Sequence, residues 1–268
     1  DVRLYSGPQM HRPTLFRGAV EGIAAYGDTA FLISPGDMDP LENARWTIDQ
    51  VLGADYPWIP VMGNHELPGQ GEEAAEGANL RWMLAYQPPF PARPGPPECP
   101  TTTYSFDYQQ AHFVILNEYC GTGGAAATDG DIPDLLYDWL AADLAANAQP
   151  LIFVIGHEPA YPQPDEQTGK TRYLGEALDA YPANRDRFWA LLAKNGVTAY
   201  LCGHTHLFSA VQIEGVWHIE AGHARGEADQ IAPSTYLIFE IEGEQVRLLP
   251  FRAEAGQPYQ ALPARGLR

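Results

Sequence analysis

Basic residues are scarce in this chain. Sixteen Lys and Arg stand against 34 Asp and Glu over 268 residues, a formal charge of −18. No basic run is present that could neutralise a row of phosphates, so general nucleic-acid binding and attachment to anionic membranes are not expected. Long apolar runs are missing too. Stretches such as Leu151-Ile152-Phe153-Val154-Ile155 are about five residues long, against the roughly 20 needed to span a bilayer. The start lacks a basic segment followed by an apolar one, and the first residue is Asp1; the expectation is a mature or trimmed product. There are only three cysteines, Cys99, Cys120 and Cys202, none at C-x-x-C spacing. A cysteine-built zinc module or a thioredoxin-type centre is thereby excluded.

What remains is 45% hydrophobic and 19% charged, the composition of a globular, soluble chain. Its length fits one large domain or two small ones. Short apolar runs alternate with amphipathic ones. Residues 14–26 place Leu15, Phe16, Ala19, Val20 and Ile23 on one helical face. Ala30 to Ser34 reads as a buried strand, and Asp39-Pro40-Leu41-Glu42 as the N-cap and first turn of a helix ending near Leu52-Gly53. Trp58 to Met62 is a second strand. Residues 67–100, rich in Gly, Pro and Glu around a helical stretch at 78–86, read as a surface insertion within one domain spanning residues 1–268, because the α/β alternation resumes afterwards.

Residues 103–108 and 111–116 form a hairpin about Gln109-Gln110, a register in which paired residue numbers add to 219. Cys99 and Cys120 obey the same rule and would face each other if the pairing extended that far, either as a disulfide or as two unrelated free thiols. Cys202, inside an apolar strand, reads as a small buried hydrophobe. Helices are expected at 135–146 and 184–195, and strands at 151–155 and 197–202. Four further strands, 208–213, 216–220, 235–240 and 246–251, follow one another through tight turns and suggest an antiparallel sheet.

Four segments immediately after expected strands carry glycine beside metal-ligating side chains: Gly36-Asp37, Gly63-Asn64-His65-Glu66, Gly156-His157-Glu158 and Gly203-His204-Thr205-His206. In open α/β sheets the carboxyl ends of strands border the ligand crevice, so one cleft can collect all four. Carboxylate, amide oxygen and imidazole suit divalent Mn, Fe or Zn. Competing motifs fail. Neither His-Glu pair has the second histidine of a helical H-E-x-x-H site, and there is no G-x-S-x-G elbow. Gly121-Thr122-Gly123-Gly124 lacks the spacing of a nucleotide cradle and reads as a loop.

The order of these four segments resembles the calcineurin-like metallophosphoesterase superfamily, in its purple-acid-phosphatase-like and phosphodiesterase-like branches. The resemblance implies a four-layer α/β/β/α sandwich of two mixed sheets flanked by helices. It also implies a metal-activated water cleaving a phosphomonoester or phosphodiester, with two divalent or trivalent ions (Mn, Fe or Zn). Asp37 would bridge the ions, Asn64, His157 and His204 would complete the second site, and His206 would belong to the first. His65 would sit beside the scissile phosphate as the catalytic residue, protonating the leaving group or stabilising its charge. In such a centre two cations about 3.5–4 Å apart clamp a phosphoryl group.

One element departs from the pattern. The family begins with a strand and then Asp-x-His, and no Asp-x-His occurs here. Asp1-Val2-Arg3, 36 residues before Asp37, is the candidate equivalent, but a guanidinium has no lone pair for a metal. The tyrosine by which purple acid phosphatases compensate is replaced by Pro40. The first site thus holds Asp1, Asp37 and His206 at most, with Arg3 expected either to bind substrate phosphate or to lie at the surface. The alternative for the whole chain is a degenerate relative that binds a phosphate-containing ligand without turnover. His223, Tyr161 and Tyr173 are candidates to line the pocket, His112 and His218 read as structural, and Glu66 and Asp39 as a supporting hydrogen-bond partner and a helix cap. The expected partner is a small phosphoester, and the expected location secreted or periplasmic, with the cytoplasm still open.

Overall fold

A computed structural model describes residues 2–3, 11–68, 73–121, 130–226 and 229–268, with no side-chain account for Arg3 or residues 73–76. The chain begins with β1 (Val2–Arg3), α1 (Phe16–Tyr26), β2 (Leu32–Ser34), β3 (Met38–Asp39), α2 (Leu41–Leu52) and β4 (Trp58–Pro60). It continues through α3 (Glu73–Ala85), β5 (Ala92–Pro94), β6 (Tyr104–Tyr108), β7 (Ala111–Ile115), α4 (Asp134–Ala146), β8 (Leu151–Ile155), α5 (Pro182–Lys194) and β9 (Ala199–Cys202). Two hairpins follow, β10 (Phe208–Ile213) with β11 (Val216–Ala221) and β12 (Ser234–Glu242) with β13 (Gln245–Ala253), and then β14 (Gln260–Ala261) and β15 (Arg265–Gly266).

Seven strands form one mixed sheet in the order β10-β11-β9-β8-β7-β6-β5. The second layer contains the parallel pair β2-β4 and the β12-β13 hairpin flanked by β14 and β15. Side-chain periodicity explains the layering. Alternate residues Phe113, Ile115, Phe153 and Ile155 pack with Ile59, Val246 and Leu248 between the sheets. Their neighbours Val114 and Val154 turn the other way, onto Leu136 and Leu140 of α4 and Phe188 and Trp189 of α5. On the far side α1 buries Phe16, Ala19, Val20 and Ile23, an i, i+3, i+4, i+7 stripe, and packs with α2 over Trp58 and Met62. The result is the α/β/β/α sandwich.

The 104–115 hairpin has the expected register, Tyr104 opposite Ile115, and Cys99 and Cys120 are joined as a disulfide. Cys202 is fully buried. Three details differ from expectation. The last four long strands do not form one sheet: β11 pairs in parallel with β9, which draws its hairpin into the main sheet, while β12-β13 joins the other layer. The 67–100 segment is not only surface, because β5 pairs with β6 at the edge of the main sheet and Met83 of α3 is buried. Asp39 does not cap α2, since its backbone is held in β3 beside Arg3. Instead Asn79 Oδ1 accepts the Leu41 N–H at 3.1 Å, and Asn79 Nδ2 donates to Asp39 at 3.3 Å.

Among the described residues β2 pairs only with β4, and β12 only with β13. Both strands border a largely apolar cavity of about 500 Å³ whose lining includes Phe16, Phe31, Phe153 and Leu237.

Candidate metal centre

The turns that follow β2, β4, β8 and β9 come together at one end of the sheets. Their backbone is unusual. Asp37, His204 and His206 have φ of +56°, +65° and +65°, a left-handed conformation that non-glycine residues seldom adopt unless the surroundings hold them there, as functional sites do. Glycine is needed beside them for space. A Cβ on Gly36 would lie 2.2 Å from His157 Nδ1, and one on Gly63 would lie 2.3 Å from Asp37 Oδ1.

Asp37, His157 and His204 are buried, and their donor atoms lie within 4.8 Å of one another. His157 donates from Nδ1 to the Pro35 carbonyl at 2.8 Å, which turns Nε2 inward. His204 likewise uses Nε2 on the Glu176 carbonyl at 3.2 Å, leaving Nδ1 3.3 Å from His157 Nε2. Asp37 Oδ1 is also 3.3 Å from that nitrogen, and Asn64 Oδ1 is 3.1 Å away. With its amide reversed, Asn64 instead donates to both Asp37 oxygens, at 3.2 and 3.3 Å. The two orientations differ only in which amide end faces inward.

Several lone pairs therefore converge on His157 Nε2, which has at most one proton to offer them. This fits a cation. Burial alone would lower the His157 pKa, but Asp37 raises it to about 9. Burial alone would raise that of Asp37, but His157 holds it well below the usual carboxylate range. Burial and the neighbouring His157 push His204 down to about 3, so its Nδ1 is an unprotonated donor at neutral pH. Asp37, Asn64, His157 and His204 thus make a chemically suitable set for one divalent ion.

Buried carboxylates brace this set. Glu66 accepts the N–H groups of Gly63 at 2.7 Å, Asp37 at 3.0 Å and Met38 at 2.8 Å, tying two site turns together. Burial, then the charge of Asp37, raises its pKa to about 7. Glu118 accepts the N–H groups of His157 and Glu158 at 2.9 and 2.7 Å and the Tyr200 hydroxyl.

His65 stands at the mouth with 42% of its side chain exposed, Nε2 3.8 Å from Asp37 and Nδ1 3.9 Å from Asp39. The Asp39 carboxylate, opposed by burial and aided by Asp37, raises its pKa above the usual histidine value. His206 is not in the cluster. Its Nδ1 meets the Asp229 carboxylate, and burial lowers its pKa to about 4. His223 does not open toward a substrate: its Nε2–H donates to the Ala232 carbonyl at 3.0 Å and its Nδ1 accepts the Arg225 N–H at 3.1 Å. Tyr173 lies against His204, ring centres 4.7 Å apart, whereas Tyr161 packs on Trp189, away from the cleft. Asp1 and the side chain of Arg3 lie outside the described residues. Arg172, Arg225, Asp229 and Glu118 were not singled out from sequence. For Glu118 a signal existed, because it follows β7 as the other site residues follow their strands.

A model of the calcineurin-like phosphoesterase family matches residues 14–208. The chain belongs to that family. Within it, the chain is 29% identical over 178 residues to the tartrate-resistant acid phosphatase type 5 of Mus musculus, covering 63% of this chain and 49% of the relative. The Homo sapiens protein of that name is 28% identical over 211 residues, covering 75% and 60%. The chain thus spans about half the length of the curated relatives it matches. Among solved structures, "GAP50 the anchor in the inner membrane complex of Plasmodium" aligns with a TM-score of 0.52 over 95% of this chain and 83% of that one, at 11% identity, which is a likeness of fold. No described helix of this phosphoesterase-family chain is long and apolar enough to cross a membrane.

Proposed function

We propose that this chain is a metal-dependent hydrolase of small phosphomonoesters or phosphodiesters. The convergence of Asp37, Asn64, His157 and His204 on one buried point carries the reading. A divalent ion held there supplies Lewis-acid polarisation of a phosphoryl oxygen and activation of water. The chain's own residues do the rest. The Pro35 and Glu176 carbonyls fix the two imidazoles, and Glu66 fixes the turns that carry Asp37 and Asn64. As water adds to phosphorus and the P–O bond to the leaving group breaks, His65 is placed to donate its Nε2 proton to the departing oxygen. The net charge of −18 supports small phosphoesters over polyanions as substrates. The Cys99–Cys120 bridge supports a secreted or periplasmic location.

A second reading, ligand binding without turnover, is favoured by Arg3 standing where the family has a metal-ligating histidine. Hydrolysis of p-nitrophenyl phosphate and bis-p-nitrophenyl phosphate with Mn, Fe or Zn distinguishes them. Turnover that depends on metal and is lost in Asn64→Ala and His65→Ala supports the hydrolase. Absence of metal-dependent turnover in the wild type, on these and on a wider phosphoester panel, supports the binding protein.

A further inference from the structure

Beside the Asp37 cluster lies a second group of charged side chains. One carboxylate, Asp229, gathers three partners: His206 Nδ1, Arg172 Nη1 at 3.3 Å and Arg225 Nη1 at 3.6 Å. Arg172 Nη1 is also 2.8 Å from His206 Nδ1, and Arg225 Nη1 is 3.3 and 3.4 Å from the two His206 ring nitrogens. Arg172 is fixed further by the ring of Tyr173, 4.4 Å beneath its guanidinium. That ring in turn lies against His204, so Arg172 adjoins the Asp37 cluster, with Arg225 beside it on His206 and Asp229. Both arginines remain partly accessible, with 26% and 17% of their side chains exposed.

This arrangement is poorly suited to a metal at His206. His206 Nδ1 is turned to the Asp229 carboxylate, and Arg172 and Arg225 crowd the same ring. A guanidinium keeps its charge at any working pH and offers no lone pair, so two of them repel a dication. The same two forks match phosphate oxygens in shape and charge.

We infer that this chain holds one metal ion, at Asp37, Asn64, His157 and His204, and that Arg172 and Arg225 bind the non-bridging phosphoryl oxygens in place of a second ion. The inference rests on the phosphoesterase reading and adds to it a one-metal, two-arginine site selective for tetrahedral oxyanions.

Two measurements on the full chain test it. Elemental analysis after loading with Mn or Zn and dialysis is expected to give one ion per chain, lost in His157→Ala and retained in His206→Ala. Calorimetry with inorganic phosphate on the metal-loaded chain is expected to show about 10- to 100-fold weaker binding in Arg172→Met and Arg225→Met, the scale of a lost charged hydrogen bond. One ion per chain is expected to persist in both. Arg172→Lys, which keeps the charge and loses the fork, should lie between wild type and Arg172→Met. Two ions per chain, one of them lost in His206→Ala, would overturn the inference while leaving the phosphoesterase reading intact. So would phosphate affinity unchanged within twofold in both methionine variants. A wild type that binds no ion and hydrolyses no phosphoester would overturn the phosphoesterase reading itself, and this inference with it.

Discussion

At the residue scale the proposed mechanism separates groups that would hold an ion from groups that would act on a substrate, and the two should fail differently. Glu66 touches neither, yet its two oxygens accept three backbone N–H groups from the turns bearing Asp37 and Asn64. Glu66→Gln keeps the volume but points an NH2 at those donors. Losing such a supporting partner typically weakens metal binding by about 10- to 100-fold, and each buried N–H left unpaired costs about 1–3 kcal/mol. We expect both effects, read by metal titration calorimetry and urea unfolding. His65→Ala, at the exposed mouth, should leave metal affinity within about threefold of wild type while lowering kcat by roughly 10²- to 10⁴-fold, the usual scale for a general acid. A His65→Ala protein with wild-type kcat would remove His65 from the mechanism. That Asp37, Asn64, His157 and His204 would come together was legible in the sequence because a strand end, a glycine and a side chain of metal-ligating type coincide four times. Arg172, Arg225 and Asp229 were not. They lie in irregular loops of a chain with 34 acidic and 16 basic residues, where one more charge in a loop carries no signal until the fold brings it to His206.

At the element scale, local pairing was readable and long-range pairing was not. The Gln109-Gln110 turn sets the hairpin register, and that register would make Cys99 and Cys120 face each other if the pairing extended that far, with a disulfide and two unrelated free thiols both open; the structure joins them. The destination of the 216–221 strand was not readable, because its choice of β9 over the last hairpin depends on a partner some 20 residues upstream. Two predictions belong here. The Cys99–Cys120 bridge has a sequence separation of 21 residues, for which chain entropy gives about 3 kcal/mol. A Cys99→Ser, Cys120→Ser double variant should lose about that much in urea unfolding while keeping its metal stoichiometry. The second concerns His112 on β7, whose ring nitrogens reach Asp107 of β6 at 2.7 Å and Asp143 of α4 at 2.8 Å. Burial alone would lower its pKa, but the hydrogen bonds to Asp143 and Asp107 raise it above the usual value. A raised folded-state pKa means that the stabilisation is complete below the unfolded value of about 6.5 and is lost as pH rises through the folded value. Wild type should therefore exceed His112→Gln by about 2 kcal/mol at pH 6, with a smaller gap at pH 9. A gap that widens with pH would show that the charged ring is not what ties the sheet to α4.

At the scale of the whole molecule the four site turns belong to different layers: Asp37 and Asn64 follow β2 and β4 of the smaller sheet, His157 and His204 follow β8 and β9 of the larger one. An ion bound among them joins the two sheets and should be linked to global stability. Ligand at 100 times its dissociation constant adds about 2.7 kcal/mol. For a chain of this size each kcal/mol moves the midpoint by about 2–4 °C, so removing the metal with EDTA should lower Tm by roughly 5–10 °C, and adding Mn or Zn back should restore it. The net charge of −18 complicates this comparison, because any cation screens the repulsion among surface carboxylates and raises Tm a little by itself. The two contributions have different signatures. Screening is reproduced by NaCl at matched ionic strength and survives His204→Ala. Specific binding saturates with added metal, is not reproduced by NaCl and disappears in His204→Ala. Equal metal-induced shifts in wild type and His204→Ala would mean that the two layers are held together without the ion and that the cluster at Asp37 is not its site.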